Sequence, residues 1–500
     1  MGIEVLLQLP AAMCGERSAL VAERYEETFE SWSLHAQWAG AGLRERRPRS
    51  VAFLGLNGPA FSLAVFACAY AGLPLTPLNY RLADEQVHEL IGALDAPLVV
   101  TDPDMAARLP AGVAMMTTPE FLQMAGTVHD TSAHAGNPNP AAIMLFTSGT
   151  TSAPKGVLLK HDHLASYVLQ TVEPATAGPE ECALVCVPPY HVAGVASVLS
   201  NAYAGRRVVF LPNFDPAEWL AVVRRERVTS AMVVPTMLAR IVEHLDGSAA
   251  DVPSLRTISY GGARLAPAVL EQALAAFPTA GFVNAYGLTE TSSTITVLGP
   301  ADHRAAFDSD DPLVRMRLGS AGRAVPGVEL RITDEDGLPC GPGVAGALWV
   351  RGPQVSGEYL GHGSALDPDG WFDTRDRASI DADGYVYIEG RTDDTIIRGG
   401  ENIAPSEIEA VLLTHPAIAD AAVIGLPDEQ WGQRIAAVVV ARPHHEIDTE
   451  AVVAYVRSRL RGSKTPESIT VWDELPYNPL GKLIRRDVLA QLTQAIETGN

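Results

Sequence analysis

"MLFTSGTTSAPKGVLLKH", residues 144–161, sets five consecutive hydroxyl or glycine positions, Thr147, Ser148, Gly149, Thr150 and Thr151, ahead of Lys155. Small residues with free N–H groups and side-chain hydroxyls can curl around phosphate oxygens, and one lysine adds a mobile positive charge. The spacing is not that of a P-loop, which needs Gly-Lys followed by Ser or Thr, because Lys155 follows Pro154 and precedes Gly156. Taken alone, the stretch fits either a nucleotide loop or a polar turn between strands at 141–146 and 156–159.

Five hundred residues, 47% of them apolar, are too many for one core, so two or more domains are expected. The net charge of −22 argues against nucleic acid or an anionic membrane as a partner, and any anionic ligand must be held by local charges. The longest apolar run, 63–75, is broken by Gly72 and Pro74 and is too short to span a bilayer. With no basic-then-apolar leader, a soluble cytoplasmic protein is expected. Five scattered cysteines read as buried thiols rather than a metal site, Cys182 and Cys186 above all.

Only four of the 37 basic residues are lysine: Lys155, Lys160, Lys464 and Lys482. A chain so committed to arginine keeps lysine where a compact, flexible ammonium does what a planar guanidinium cannot. Two of the four, Lys155 in "PKG" and Lys482 in "LGK", lie in glycine-flanked loops.

From Ser50 to about Val234, short β-rich runs such as "SVAFLGLN", "APLVVTD" and "RVVFLP" alternate with helical periods at 60–71 and 217–226, which predicts layered parallel α/β structure. Between about 318 and 389 the strands become closely spaced, with Gly, Pro and Asp turns, and read as a small antiparallel sheet or barrel. The last hundred residues form a compact α+β unit, with helices at 406–413 and 449–460 and strands at 421–425 and 435–441. "GRTDDTIIRGGENIAP" (390–405) joins it to the rest and suits a hinge better than a buried element.

The motifs resemble those of the adenylate-forming superfamily, which includes acyl- and aryl-CoA synthetases, luciferases and peptide-synthetase adenylation domains. "FTSGTTSAPKG" is followed by "PPYHVAG" (188–194), "SYGGARLAP" (259–267) and "NAYGLTET" (284–291). "GWFDTRD" (370–376), "GRTDDTIIRGGENIAPSEIE" (390–409) and "NPLGK" (478–482) come later. The resemblance covers about residues 50–485. It implies a large N-terminal domain at 1–391, made of layered α/β subdomains and a β-barrel-like subdomain, and a mobile α+β C-terminal domain at 392–500 hinged at Asp393.

In that family the loop at Thr147–Thr151 with Lys155 folds over the β- and γ-phosphates of ATP. Thr289 and Glu290 match an α-phosphate contact and a Mg²⁺ ligand, with Thr150 a second Mg²⁺ candidate; the ion takes oxygen ligands, usually one or two of them carboxylates. Asp376 and Arg391 match the ribose contacts. Gly261, Gly262 and Ala263 with Asn284, Ala285, Tyr286 and Gly287 resemble the adenine slot, where a ring stacks on the base and small residues let backbone approach. Lys482 matches the catalytic lysine, whose charge offsets the repulsion between a substrate carboxylate and the α-phosphate as the acyl-adenylate forms and pyrophosphate leaves. Rotation about Asp393 then carries Gly399 and Gly400 to the site to line the path of the coenzyme A thiol, which attacks the adenylate's carbonyl.

Tyr190, His191, Gly262, Ala263 and Ala285 match acyl-pocket positions. No acid stands in 190–194 to receive an α-ammonium, and Ala285 replaces the arginine of malonate-activating relatives, which leaves a fatty, aryl or alicyclic monocarboxylate. Ser152 and Arg375 stand where the family usually has glycine, and "PPYHV" replaces the commoner Pro-Leu-Phe-His. His161 with His163, and His444 with His445, mimic metal pairs but lack a third ligand and read as solvated loops. The expected activity is an ATP- and Mg²⁺-dependent acid–CoA ligase of fatty-acid-type metabolism. An adenylating enzyme serving an acyl carrier protein or a nitrogen nucleophile, or a ligand-binding pseudoenzyme, stands as the alternative.

Overall fold

The computed structural model describes residues 1–23, 25–131, 140–147, 155–398, 401–428, 430–478 and 482–498. Two large sheets, each flanked by helices, make up most of the N-terminal part. The first has eight strands and is centred on Ser50–Leu54, which pairs in parallel with Leu75–Pro77 and Pro97–Thr101. Every residue of Ser50–Leu54 is buried, as befits a parallel strand covered on both faces. The expected strands at 141–146 and 156–159 are Ala141–Thr147 and Lys155–Lys160, an antiparallel pair on this sheet with Thr147 opposite Lys155.

The second sheet has nine strands and runs from Arg323–Ala324 through Ser293–Leu298, Gly281–Leu288 and Thr257–Gly261 to the chain's first strands. Here the α/β layering departs from the expected start at Ser50. Ser18–Ala22 pairs in parallel with Arg207–Phe210, so the N-terminal segment completes a sheet whose other strands lie mostly beyond residue 180. The predicted helices at 60–71 and 217–226 are Pro59–Ala71 and Pro216–Arg225, both opened by proline at the first turn, where its missing N–H costs nothing.

The antiparallel region takes the sheet form, with four strands in the order Glu329–Thr333, Gly346–Arg351, Phe372–Ile380 and Val386–Arg391. In the C-terminal domain, Ile418–Asp428, Gly432–Ala441 and Ser468–Trp472 form a three-stranded sheet packed by Pro405–Leu412, Thr449–Arg457 and Arg485–Thr498. Its apolar clusters draw on no residue before Ile396. The reading of 390–405 as an unburied joint needs correction. Ile396 and Ile403 pair across a short hairpin, Ile396–Arg398 with Glu401–Ile403, and both are fully buried in the C-terminal core. Among the described residues, no helix is long and apolar enough to cross a membrane.

Candidate active site

The groups expected to hold ribose and base meet at the edge of the four-stranded sheet. Asp376 and Arg391 are directly opposed on neighbouring antiparallel strands. Arg391 Nη1 donates to Asp376 Oδ1 at 3.2 Å and to the Thr374 carbonyl at 2.9 Å. The Tyr286 hydroxyl donates to the other carboxylate oxygen, and the Asp376 N–H donates to Thr374 Oγ1 at 3.1 Å. Burial raises the Asp376 carboxyl above its usual range, opposed by the charge of Arg391 and the bond from Tyr286. Burial, joined by the carboxylate charge, pushes the Tyr286 phenol well up, so it stays a donor.

Gly261 and Ala285 are register partners on Thr257–Gly261 and Gly281–Leu288. A Cβ on Gly261 would lie 2.1 Å from the Ala285 carbonyl oxygen, so only glycine fits. Gly262 has φ +84°, with open space where a side chain would stand. Gly287 is closed in the same way as Gly261, by the Ser293 carbonyl oxygen at 1.8 Å. Asn284 Nδ2 donates to the Ser320 carbonyl at 3.1 Å, which orients its amide.

Thr289 and Glu290 sit in a single 3₁₀ turn, Thr289–Thr291, after that strand. The Ser356 N–H donates to the Glu290 carbonyl at 2.8 Å, and the Tyr359 hydroxyl donates to Glu290 Oε1 at 2.9 Å. Lys155 Nζ stands 5.9 Å from the centroid of the Tyr359 ring. The expected phosphate lysine and the expected Mg²⁺ carboxylate therefore flank one tyrosine. The all-oxygen donors at Glu290 suit a hard dication. Ser148, Gly149, Thr150, Thr151 and Ser152 lie outside the described residues, as do Gly399 and Gly400.

Lys482 arrives from the other domain. Its N–H donates to Asn478 Oδ1 at 2.9 Å, the Asn478 N–H donates to the Lys482 carbonyl at 2.9 Å, and Tyr477 bridges to Leu483. Arg485 holds the following helix against the domain by a bidentate pair with Glu409, at 2.6 and 2.9 Å, and reaches Asp394 at 3.3 Å. The ammonium lies within electrostatic reach of Arg391, Asp376, Asp394 and Glu290. The residue is exposed, yet the atoms packed around its ammonium, then the charge of Arg391, lower its proton affinity, while the three carboxylates oppose the shift. The other C-terminal lysine, Lys464, is paired with Glu407, and Lys160 is paired with Glu358.

Residues 7–360 match the AMP-binding enzyme family, and residues 407–482 match the AMP-binding enzyme C-terminal domain. The chain belongs to the AMP-binding enzyme family. A feruloyl-CoA synthase from Amycolatopsis is 34% identical over 88% of both chains, and an indoleacetate–CoA ligase from Aromatoleum aromaticum is 33% identical over the same shares. Among solved structures, the o-succinylbenzoate CoA synthetase of Bacillus subtilis with its acyl-adenylate OSB-AMP matches with a TM-score of 0.83, 28% identity and 97% coverage of each chain. ATP-bound MatB from Rhodopseudomonas palustris matches with a TM-score of 0.86, 26% identity, and 98% and 99% coverage.

In this AMP-binding enzyme the expected acyl-side residues Tyr190 and His191 precede the helix Val192–Ala204. Tyr190 is buried, edge-on to Tyr80 at 5.3 Å and against His191 at 4.4 Å. Burial, with a smaller push from Arg81, brings His191 down to about 3, so the ring is neutral. Arg375 has φ +58°, the left-handed region that glycine occupies freely and other side chains seldom adopt. Its N–H donates to Asp373 Oδ1 at 2.8 Å, and its guanidinium lies 3.8 Å from Asp393.

Two readings change. His161 is not solvated: it is buried at the start of the helix His161–Thr171, and its Nδ1 accepts from the Ile3 N–H at 3.2 Å. His163 beside it is half-buried, its imidazole brought down first by desolvation. Tyr359 was missed. Its strand, Glu358–Tyr359, has two residues and no periodicity; the available signal was an aromatic between Glu358 and Leu360, shortly after the sheet strand Gly346–Arg351.

Proposed function

We propose that this enzyme activates a carboxylic acid with ATP to an acyl-adenylate, releasing pyrophosphate, and passes the acyl group to the thiol of coenzyme A, releasing AMP. The observation that carries the reading is the cluster in which Arg391 Nη1 meets Asp376 Oδ1 at 3.2 Å, the Tyr286 hydroxyl bonds the same carboxylate, and Glu290 lies under the Tyr359 hydroxyl at 2.9 Å, with the Lys482 ammonium of the C-terminal domain within electrostatic reach of Asp376, Arg391 and Glu290. In the first step a carboxylate oxygen attacks the α-phosphorus and the bond to pyrophosphate breaks. Lys482 and Thr289 neutralise charge where these anions meet. Asp376 accepts from the ribose hydroxyls, Tyr286 stacks on adenine, and Gly261 and Gly262 let backbone approach it. Lys155 takes the outer phosphates together with the loop 147–151. Glu290, with Thr150, would hold Mg²⁺, which when bound neutralises phosphate charge.

In the second step the thiol sulfur attacks the adenylate's carbonyl carbon, its proton leaves to solvent or base, and AMP departs. Lys482 stands in the way of that approach, so the C-terminal domain turns about Asp393 and brings Gly399 and Gly400 in its place. The domain boundary is set at 391/392 for this reason. The acid is a largely apolar monocarboxylate held near Tyr190, His191, Gly262 and Ala285. The names of the feruloyl, indoleacetate and 2-succinylbenzoate relatives support an aryl acid over a fatty one.

A pyrophosphate–ATP exchange assay with a panel of aryl and fatty acids tests the reading. Exchange with at least one acid is expected, and Lys482→Ala should lower it by about 10²–10³-fold. Exchange unchanged by Lys482→Ala overturns the catalytic assignment. A fatty acid–[acyl-carrier-protein] ligase, ScoC of Streptomyces coeruleorubidus, is 31% identical over 96% of this chain and 92% of its own, which supports a carrier protein as a second acceptor. Acceleration of AMP release by free coenzyme A, against a phosphopantetheinylated carrier, separates the two.

A further inference from the structure

Tyr359 is fixed from several sides. Its backbone pairs with Val157, the Leu360 N–H donates to the Gly156 carbonyl at 2.7 Å, and the Ser356 and Gly357 N–H groups converge on the Glu290 carbonyl at 2.8 and 3.3 Å. The segment 356–360 thus ties the strand that starts at Lys155 to the turn that carries Glu290. The side chain repeats the connection, hydroxyl on Glu290 Oε1 at 2.9 Å and ring face toward Lys155 Nζ at 5.9 Å.

We infer that Tyr359 is a positioning residue for the cation–phosphate centre: its hydroxyl fixes the Glu290 carboxylate so that the remaining oxygen faces a divalent cation, and its ring holds Lys155 beside the same phosphates. This rests on the reading of Glu290 as the Mg²⁺ ligand. A carboxylate whose rotation is stopped by one donated hydrogen bond loses less freedom when it binds metal, and loss of such a supporting bond typically weakens metal affinity about 10–100-fold.

The test measures binding rather than turnover. Affinities for ATP in EDTA and for Mn²⁺·ATP, the latter by electron paramagnetic resonance without any acid, are compared in wild type, Tyr359→Phe and Glu290→Gln. Phenylalanine keeps the ring beside Lys155 and removes only the hydroxyl. The expected result is a roughly tenfold weaker Mn²⁺·ATP complex in Tyr359→Phe with metal-free ATP affinity unchanged, and a larger loss in Glu290→Gln. A loss in Glu290→Gln with wild-type binding in Tyr359→Phe overturns the inference alone. Wild-type binding in Glu290→Gln overturns the metal reading and the inference with it. Equal weakening of ATP with and without metal in Tyr359→Phe marks a merely structural tyrosine and also overturns it. If Tyr359→Phe does not fold, Tyr359→His and Tyr359→Leu are compared, and the inference requires tighter Mn²⁺·ATP binding in the histidine variant, which keeps a ring N–H donor.

Discussion

Arg391 faces Asp376 across an antiparallel ladder, guanidinium to carboxylate at 3.2 Å, with the Tyr286 hydroxyl on the carboxylate's second oxygen. The pair is largely withdrawn from water, 8% of the Asp376 side chain and 27% of the Arg391 side chain being exposed. Removing one partner leaves the other charge poorly hydrated and without its paired counter-charge. Asp376→Asn is expected to lower stability by about 2–3 kcal/mol, less than for a fully buried pair because Arg391 keeps some water. If Asp376 also receives the ribose, KM for ATP should rise at least about tenfold. Urea unfolding and ATP-dependent exchange kinetics check the two halves separately.

Gly261 and Gly262 are adjacent but resist substitution for different reasons. Alanine at 261 drives a methyl to 2.1 Å from the Ala285 carbonyl oxygen, and neither backbone can move without breaking the ladder between their strands. Alanine at 262 meets nothing within 4 Å and suffers only the left-handed backbone at φ +84°. Gly262→Ala should therefore cost about 1–2 kcal/mol. Gly261→Ala should cost clearly more, with loss of ATP binding in whatever folds. Thermal unfolding and ATP titration of the two variants side by side give the comparison.

Arg375 predicts an inversion of the usual alanine-over-glycine order. Its φ of +58° suits glycine, and alanine there keeps the strain while losing both the guanidinium and its approach to Asp393 at 3.8 Å. Arg375→Gly is expected to be more stable than Arg375→Ala by about 1 kcal/mol, a difference readable as a shift in urea midpoint. The wild-type pair is exposed on both sides, so its own contribution stays small.

The sequence was most legible where chemistry is local. The spacing of "NAYGLTET" and "GWFDTRD" needs only short turns to put Glu290 and Asp376 in place, and Ser50–Leu54 reads as a covered strand because all five of its residues are apolar or small. Pairings between distant segments were not legible. Ser18–Ala22 joins Arg207–Phe210, Tyr359 joins Val157, and Ile3 reaches His161, each across more than 150 residues and without a periodic pattern to announce it. The hairpin at Ile396 and Ile403 was hidden by its own composition. Aspartates and glycines suggest a solvated joint, while two isoleucines seven residues apart decide the burial.

His161, buried, and His191, half-buried, give a stability prediction with a definite sign. His191 is brought down to about 3 and His161 to about 4, each first by burial, from 6.5 when exposed. Across that interval the unfolded chain binds a proton that the folded chain does not. Stability is therefore complete above about pH 6.5 and is lost as pH falls, by up to about 1.4 kcal/mol per pH unit for each histidine. His191→Gln should reduce the stability difference between pH 7.5 and pH 5.0, measured by urea unfolding, by about 2 kcal/mol.

Lys482 gives the matching prediction for activity. Desolvation and Arg391 make its ammonium easier to deprotonate than an ordinary lysine, against the pull of Asp376, Asp394 and Glu290. Only the charged form can separate a carboxylate from an α-phosphate, so adenylation should decline as pH rises through this lowered value. The decline belongs in kcat/KM for ATP, which reports the free enzyme; bound triphosphate would favour the proton and move the same limb upward in kcat. Lys482→Arg keeps the charge at every accessible pH, although its planar fork cannot copy the geometry of an ammonium. Its residual exchange should be slow but flat across the alkaline range where the wild type falls. A wild-type limb that persists unchanged in Lys482→Arg would assign the titration to another group.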